Sequence, residues 1–435
     1  MKRTMHIRRT ICAAMAALLL CTACGEYSPK DVSAKSVGSY EGALDKSMTD
    51  ISPEPPSGEI LTGFADFSAE LLKTVCAEDI YEGKNALISP ESVLMALGIA
   101  VNGASGSTRS QMCDIMQGNT DPMKMAGAIR YITDHSADTD ETKTSFVNSI
   151  WLNKDVGSTL DIHFADTAKT EYNAESFCVS FDEQALSDMN NWVSNSTNGM
   201  IPSLVADLPP DSLIYLLNAV TFKAEWAEPF LDKNIRRDMS FTNAKGETEK
   251  CTMLSCFEEG YFSDGRAQAF IKYYKGYKYA FMGILPNEGV SVSEYINGLD
   301  GESWYKLWKS GMYADIDVLI PEFSCDCDKE LSGGLKAMGM DIPFDPKRAD
   351  LSNMVENDSG DPLYISRILH KTHINVDRTG SEAAAATAVE MKVQAAERSK
   401  REQKEIYLDR PFIYAIVDTE TGFPVFLGAV NTVAP

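Results

Sequence analysis

Gly380-Ser381-Glu382-Ala383-Ala384-Ala385-Ala386-Thr387-Ala388-Val389-Glu390-Met391-Lys392-Val393-Gln394 is the stretch that decides the fold. Alternate positions separate into two sets. Ser381, Ala383, Ala385, Thr387, Val389, Met391 and Val393 grade from small to apolar. Glu382, Ala384, Ala386, Ala388, Glu390, Lys392 and Gln394 are small or polar. That is the period-two pattern of a half-buried strand. The alanine run itself favours helix and is depleted in ordinary strands. Taken alone, the stretch also fits a surface helix over 382–404. A charged segment follows, with Arg398, Lys400, Arg401 and Lys404 close together. A strand-like pattern of small side chains thus runs into an exposed loop.

Working outward, Phe64, Phe67, Leu71 and Val75 recur at helical spacing and predict an amphipathic helix over 62–80. Val93–Val101 reads as a second helix after Ser89-Pro90. A third is expected with Thr108 as N-cap, ending near Gly118. Strands are expected over 146–152, 213–222, 314–323, 363–376, 411–417 and 425–430, and a helix over 182–198. Tyr273-Tyr274-Lys275-Gly276-Tyr277 reads as a hairpin turn between aromatic strands. Helices first and mostly strands later is an α+β order.

These segments carry motifs that resemble the serpin family. Asn85-x-x-x-Ser89-Pro90-x-Ser92 is followed by Gly103-Ala104-x-Gly106-x-Thr108-x-x-Gln111. Then come Asn190-x-Trp192-Val193-x-Asn195-x-Thr197-Asn198-Gly199 and Asn218-Ala219-Val220-x-Phe222-Lys223-x-x-Trp226-x-x-Pro229-Phe230. Leu335-x-x-Met338-Gly339-Met340, Phe344 and Asp409-Arg410-Pro411-Phe412 continue the family's order. The resemblance covers about 62–435 and implies helices packed around three β-sheets, with a reactive-centre loop at about 380–408.

In function, the resemblance implies a suicide-substrate inhibitor of serine proteases, or of papain-like cysteine proteases. The expected partner is a protease held as a covalent acyl-enzyme. The hinge is then Gly380, Ser381, Glu382, Ala383, Ala384, Ala385, Ala386 and Thr387. No charge stands on its inward-facing set up to Val393, so insertion buries none. Family spacing puts the bait bond at Gln394–Ala395, where the alternation also stops. Lys392 or Arg398 would suit a trypsin-like target, and Val393 an elastase-like or papain-like one. The interval from Gly380 to Pro411 is longer than usual. Arg378 and Thr379 stand where the family tends to be acidic. Ser89, Ser92, Asn218 and His370 are similar to the polar cluster that controls sheet opening, and Trp226 to the anchor where the loop enters. His373 reads as incidental. A second expectation is a serpin-fold surface lipoprotein that binds a ligand without inhibiting.

The chain has 435 residues, 44% of them hydrophobic and 24% charged, which is globular composition. The net charge of -23 argues against a nucleic-acid partner. Lys2, Arg3, Arg8 and Arg9 precede the apolar run Ile11–Leu20 and then Cys21-Thr22-Ala23-Cys24-Gly25. That arrangement resembles a bacterial lipobox, implying removal of residues 1–23 and lipidation at Cys24, although Cys21 departs from the usual Leu. Loss of those four cations takes the net charge from -23 to -27. Residues 24–60 read as an acidic, Pro- and Ser-rich tether, spanning roughly 30–35 Å as a coil. An exported, membrane-anchored monomer with one domain over 61–435 is expected. Seven of the ten cysteines lie in that domain. They read as small buried side chains, with room for one disulfide. No metal, cofactor or catalytic motif is legible, and five histidines leave few candidates.

Overall fold

The computed structural model describes residues 55–117, 122–135, 142–209, 211–356, 363–381 and 402–434. Seven helices dominate the first half: α1 (Gly58–Val75), α2 (Ala77–Glu82), α3 (Pro90–Gly103), α4 (Gly106–Gln117), α5 (Pro122–His135), α6 (Ile162–Tyr172) and α7 (Glu183–Ser196). Strands β1 (Ala86–Ile88), β2 (Thr142–Asn153) and β3 (Ala174–Val179) are interspersed. Then come β4 (Ile214–Glu225), β5 (Ile235–Thr242), β6 (Thr248–Ser263), β7 (Ala267–Tyr273) and β8 (Tyr279–Pro286). Helices α8 (Val292–Asn297) and α9 (Gly301–Lys309) precede β9 (Met312–Pro321) and β10 (Phe323–Glu330). After α10 (Ser332–Ala337) the chain closes with β11 (Ile365–Val376), β12 (Gly380–Ser381), β13 (Gln403–Tyr407), β14 (Phe412–Asp418) and β15 (Pro424–Val430).

Hydrogen bonding gathers the strands into two sheets rather than three separate ones. One runs β1-β15-β14-β8-β7-β6-β9-β13, with β5 on β6. The reason is the length of β6. It pairs with β9 over Met253–Tyr261 and with β7 over Tyr261–Ser263, so the ladder continues from one expected sheet into the next. The other sheet runs β10-β11-β12-β4-β2-β3.

β4 reads as a nearly continuous apolar run because both its faces are covered. Leu216, Val220 and Phe222 pack into the main core between the sheets. Tyr215, Leu217 and Ala219 face the other way, against Met189, Trp192 and Val193 of α7. Each such large side chain contributes about 1.5–3 kcal/mol on burial. The stripe Phe64, Phe67 and Leu71 of α1 is likewise buried.

Several expectations need correction. The tether does not extend to residue 60. Ser57 caps α1 by accepting from the Ile60 amide, and Ile60 is buried. The first helix breaks at Cys76 instead of running to 80. Thr108 is not an N-cap: α4 starts at Gly106, and the buried Thr108 hydroxyl accepts from the Asp350 amide. The strand expected over 314–323 is two, parted at Glu322. The loop ends before 408, because Gln403–Tyr407 pairs in parallel with β9 and Ile406 and Leu408 are fully buried. All seven domain cysteines are free thiols. Cys325 and Cys327 share the buried face of β10, as an i, i+2 pair on a strand must.

Candidate functional site

The site is built on the seam between β4 and β11. These parallel strands bond directly from Ile365 opposite Ile214 to His373 opposite Thr221. Beyond that point they part, and β12 fills the gap as an antiparallel wedge. Gly380 lies opposite Glu225, and Ser381 lies between Ala224 and Val376.

A turn after β11 delivers the wedge. The Asp377 carboxylate accepts from the Thr379 amide at 2.7 Å, the Thr379 hydroxyl at 2.5 Å and the Gly380 amide at 3.2 Å. Its own amide donates to the Gly380 carbonyl at 2.9 Å. Gly380 has φ +156°, and a Cβ there would sit 2.0 Å from the Ala224 carbonyl oxygen. Only glycine brings the backbone that close.

Ser381 is fully buried, and its hydroxyl shares a 2.7 Å hydrogen bond with Tyr274. Burial pushes the Tyr274 phenol up, so it stays neutral. Tyr274 stacks on Trp226, with centroids 4.5 Å apart. Trp226 Nε1 donates to the Asp377 carbonyl at 2.8 Å, and its amide donates to Thr379 at 3.0 Å. The Phe230 amide donates to the Arg378 carbonyl. The Arg378 side chain adds a half-exposed pair with Asp232 at 3.2 Å, of the kind that contributes little. The hinge is thus held largely through backbone groups of 378 and 379, with the Thr379 hydroxyl adding a side-chain bond to Asp377. Behind Trp226, Lys272 Nζ lies 5.6 Å from its ring, 4.7 Å from the Phe230 ring and 3.0 Å from Glu258. Burial opposes the Lys272 charge, but Glu258 outweighs it and holds the ammonium above its usual value.

Lower on the seam, the four polar residues expected to cluster do so. The Ser89 amide donates to His370 Nε2 at 3.2 Å, and the Ser89 hydroxyl donates to the Val425 carbonyl. His370 Nδ1 and Asn218 Oδ1 are 2.5 Å apart. Asn218 Nδ2 donates to the Ser92 carbonyl, the Ser92 hydroxyl and Asn148 Oδ1. An accepting Nε2 fixes the neutral tautomer with its proton on Nδ1. Complete burial depresses the His370 pKa to about 3. This histidine ties three elements together and performs no acid–base chemistry.

A sequence model of the family described as Serpin (serine protease inhibitor) matches residues 62–433. The chain belongs to the serpin family. The serpin is 28% identical over 388 residues to an uncharacterized serpin-like protein of Methanosarcina acetivorans, covering 86% of each chain. It is 28% identical to Intracellular coagulation inhibitor 2 of Tachypleus tridentatus, covering 84% of this chain and 92% of that one. Its fold is similar to that of the thermophilic serpin Tengpin in the native state. There the TM-score is 0.80 at 32% identity, over 88% of this chain and 96% of that one. Protease inhibition in general is therefore the family's activity.

Gly380, Ser381, Trp226, Ser89, Ser92, Asn218 and His370 converge on the seam of this serpin. The rest of the hinge, Glu382 to Thr387, lies outside the described residues, as do Lys392, Val393, Gln394, Ala395, Arg398 and Cys24. Three contributors were not anticipated. Asp377 stands three residues before a glycine, a spacing that an Asx-type turn could have flagged. Asn148 and Tyr274 carry no local signal, because their partners lie 70 and 107 residues away. His373 is not idle: its ring pairs with Asp326 across β10 at 2.7 Å.

Proposed function

We propose that this serpin traps a target protease as an acyl-enzyme by feeding its cleaved loop into the seam between β4 and β11. The observation that carries this reading is β12. The hinge already begins a central strand antiparallel to both neighbours, and its continuation would run down between the parallel pair below it.

Continuing the register of Ser381 gives each following residue a partner. Ala383 and Ala385 come opposite Phe222 and Val220, where small side chains suit a packed core. Thr387 comes opposite both Asn218 and His370, so its hydroxyl meets the polar cluster inside the stretch where the two strands are still bonded to each other and must separate. On the other face, Glu390 comes between Tyr215 and Arg367, whose guanidinium now forks onto Asp207. The register reaches Ile214, the first residue of β4, at Met391. The strand therefore ends just short of Gln394–Ala395, which supports that bond over Arg398.

In the proposed sequence, the protease nucleophile attacks the Gln394 carbonyl and Ala395 leaves with its amine. The ester to Gln394 then travels with the inserting strand. Removal of the protease's oxyanion donors from their working geometry slows deacylation, since each such donor is worth several kcal/mol. The same reading takes Cys24 as a lipid anchor that exports the domain to a membrane surface, with residues 25–57 as spacer. Loss of membrane partitioning in Cys24→Ala tests that part.

The trapping test is incubation with elastase-like, papain-like and trypsin-like proteases. A covalent complex that survives SDS, with release of a peptide beginning at Ala395, is expected for at least one target. Ser381→Arg, which would bury a charge in the wedge, should turn the trap into a substrate. Loop cleavage without any complex would overturn inhibition and leave the ligand-binding lipoprotein reading.

A further inference from the structure

Among the described residues, five of the eight large apolar side chains exposed to solvent line one cavity. It has a volume of about 620 Å³ and opens between β6, β7 and β9, with Lys272 and Glu228 in its wall on the side of Trp226. Its walls are aromatic. Phe257 comes from β6, Tyr273 from the end of β7, Tyr277 from the β7–β8 turn and Tyr313 from β9. Tyr313 is 79% exposed and Tyr277 61%, and the Tyr273 and Tyr277 rings lie 5.5 Å apart. Tyr277 also sits at φ +59°, a turn position that favours Gly or Asn. A bulky ring is kept there against backbone preference.

Carboxylates outnumber cations among the lining residues of the cavity. Glu228, Glu258 and Glu259 line it, against Lys272 as the cation among the lining residues. Lys272 is already held by Glu258. Aromatic faces attract cations through their quadrupole, and carboxylates beside them add direct attraction. A neutral apolar ligand would strip water from the carboxylates without replacing it. An anion would be repelled. The volume falls in the range of small-molecule sites, and the protein's charge of -23 concentrates cations around it.

We propose that this cavity binds a small organic cation, an ammonium or guanidinium group carried on an apolar body. The proposal is independent of the trapping reading, and its test needs no protease. The full chain is titrated by calorimetry with benzyltrimethylammonium, benzylguanidinium, neutral benzyl alcohol and anionic phenylacetate. Saturable one-to-one binding of a cation is expected, with at least roughly tenfold preference over benzyl alcohol and no binding of phenylacetate. Tyr313→Ala and Glu228→Gln should each weaken it about tenfold, whereas Tyr81→Ala, at an exposed tyrosine elsewhere, should not. Equal binding of benzyl alcohol overturns the proposal. So does unchanged affinity in Tyr313→Ala, or no saturable binding of either cation at millimolar concentration. Capture of a basic peptide by this face without binding of either small cation would also overturn it.

Discussion

His370 is buried and neutral in the folded protein, with a pKa near 3 against an ordinary 6.5. The unfolded chain binds this proton first as pH falls, so the contribution of His370 to stability is complete above pH 6.5. It is lost between 6.5 and about 3, at about 1.4 kcal/mol per pH unit. His370→Gln should therefore be less stable at neutral pH but show a shallower acid limb over that window. Denaturant titrations at stepped pH check this. Gly380 makes a second prediction. In Gly380→Ala a Cβ meets the Ala224 carbonyl, so β12 must leave the seam and Ser381 must leave Tyr274. A loss of about 1–3 kcal/mol is expected. Limited proteolysis should also cut the hinge faster than in the wild type, and equal rates would show that β12 does not constrain it. Gly380 was legible in the sequence because its spacing to the alanine run is fixed. The reason for it, a backbone contact with a strand 156 residues earlier, was not.

The seam between β4 and β11 is the element on which the proposed function turns. Thr387 is, beyond Ser381, the polar member of a small and apolar inward set, and the register brings it to Asn218 and His370. Thr387→Val keeps the shape and removes the hydroxyl, so it should lower the stability of the cleaved form by about 1 kcal/mol and leave the uncleaved form unchanged. Thr387→Glu would carry a charge into a dry seam and should stall the strand partway. The melting temperature of each loop-cleaved variant against its uncleaved parent is the measurement. Equal values for Thr387→Glu and wild type would exclude this register. At this scale the apolar run of β4 was readable, and so was the helix expected over 182–198, which forms as Glu183–Ser196 with the Asp182 side chain accepting from the Ala185 amide. The break at Glu322 was not. Its two flanking strands belong to different sheets, and period-two alternation is the same in both.

For the whole molecule, filling the seam lengthens β12 into a full central strand of the six-stranded sheet and buries the apolar side chains of the inward-facing set. Cleavage of the loop should raise the melting temperature by more than about 10 °C. Calorimetry of the nicked chain settles it, and an unchanged transition would sink insertion. The architecture was legible because many moderate motifs stand in one order. The joining of sheets through β6 was not, since nothing local in Thr248–Ser263 records which neighbour each residue pairs with.

The seam has one slot. A strand that has filled it leaves no second opening, and the severed loop has no route back. Under the proposed function the molecule is therefore a counter rather than a regulator with a set point. Each copy records one encounter and is withdrawn. The protection it gives is fixed by how many copies are present and how fast they are resupplied.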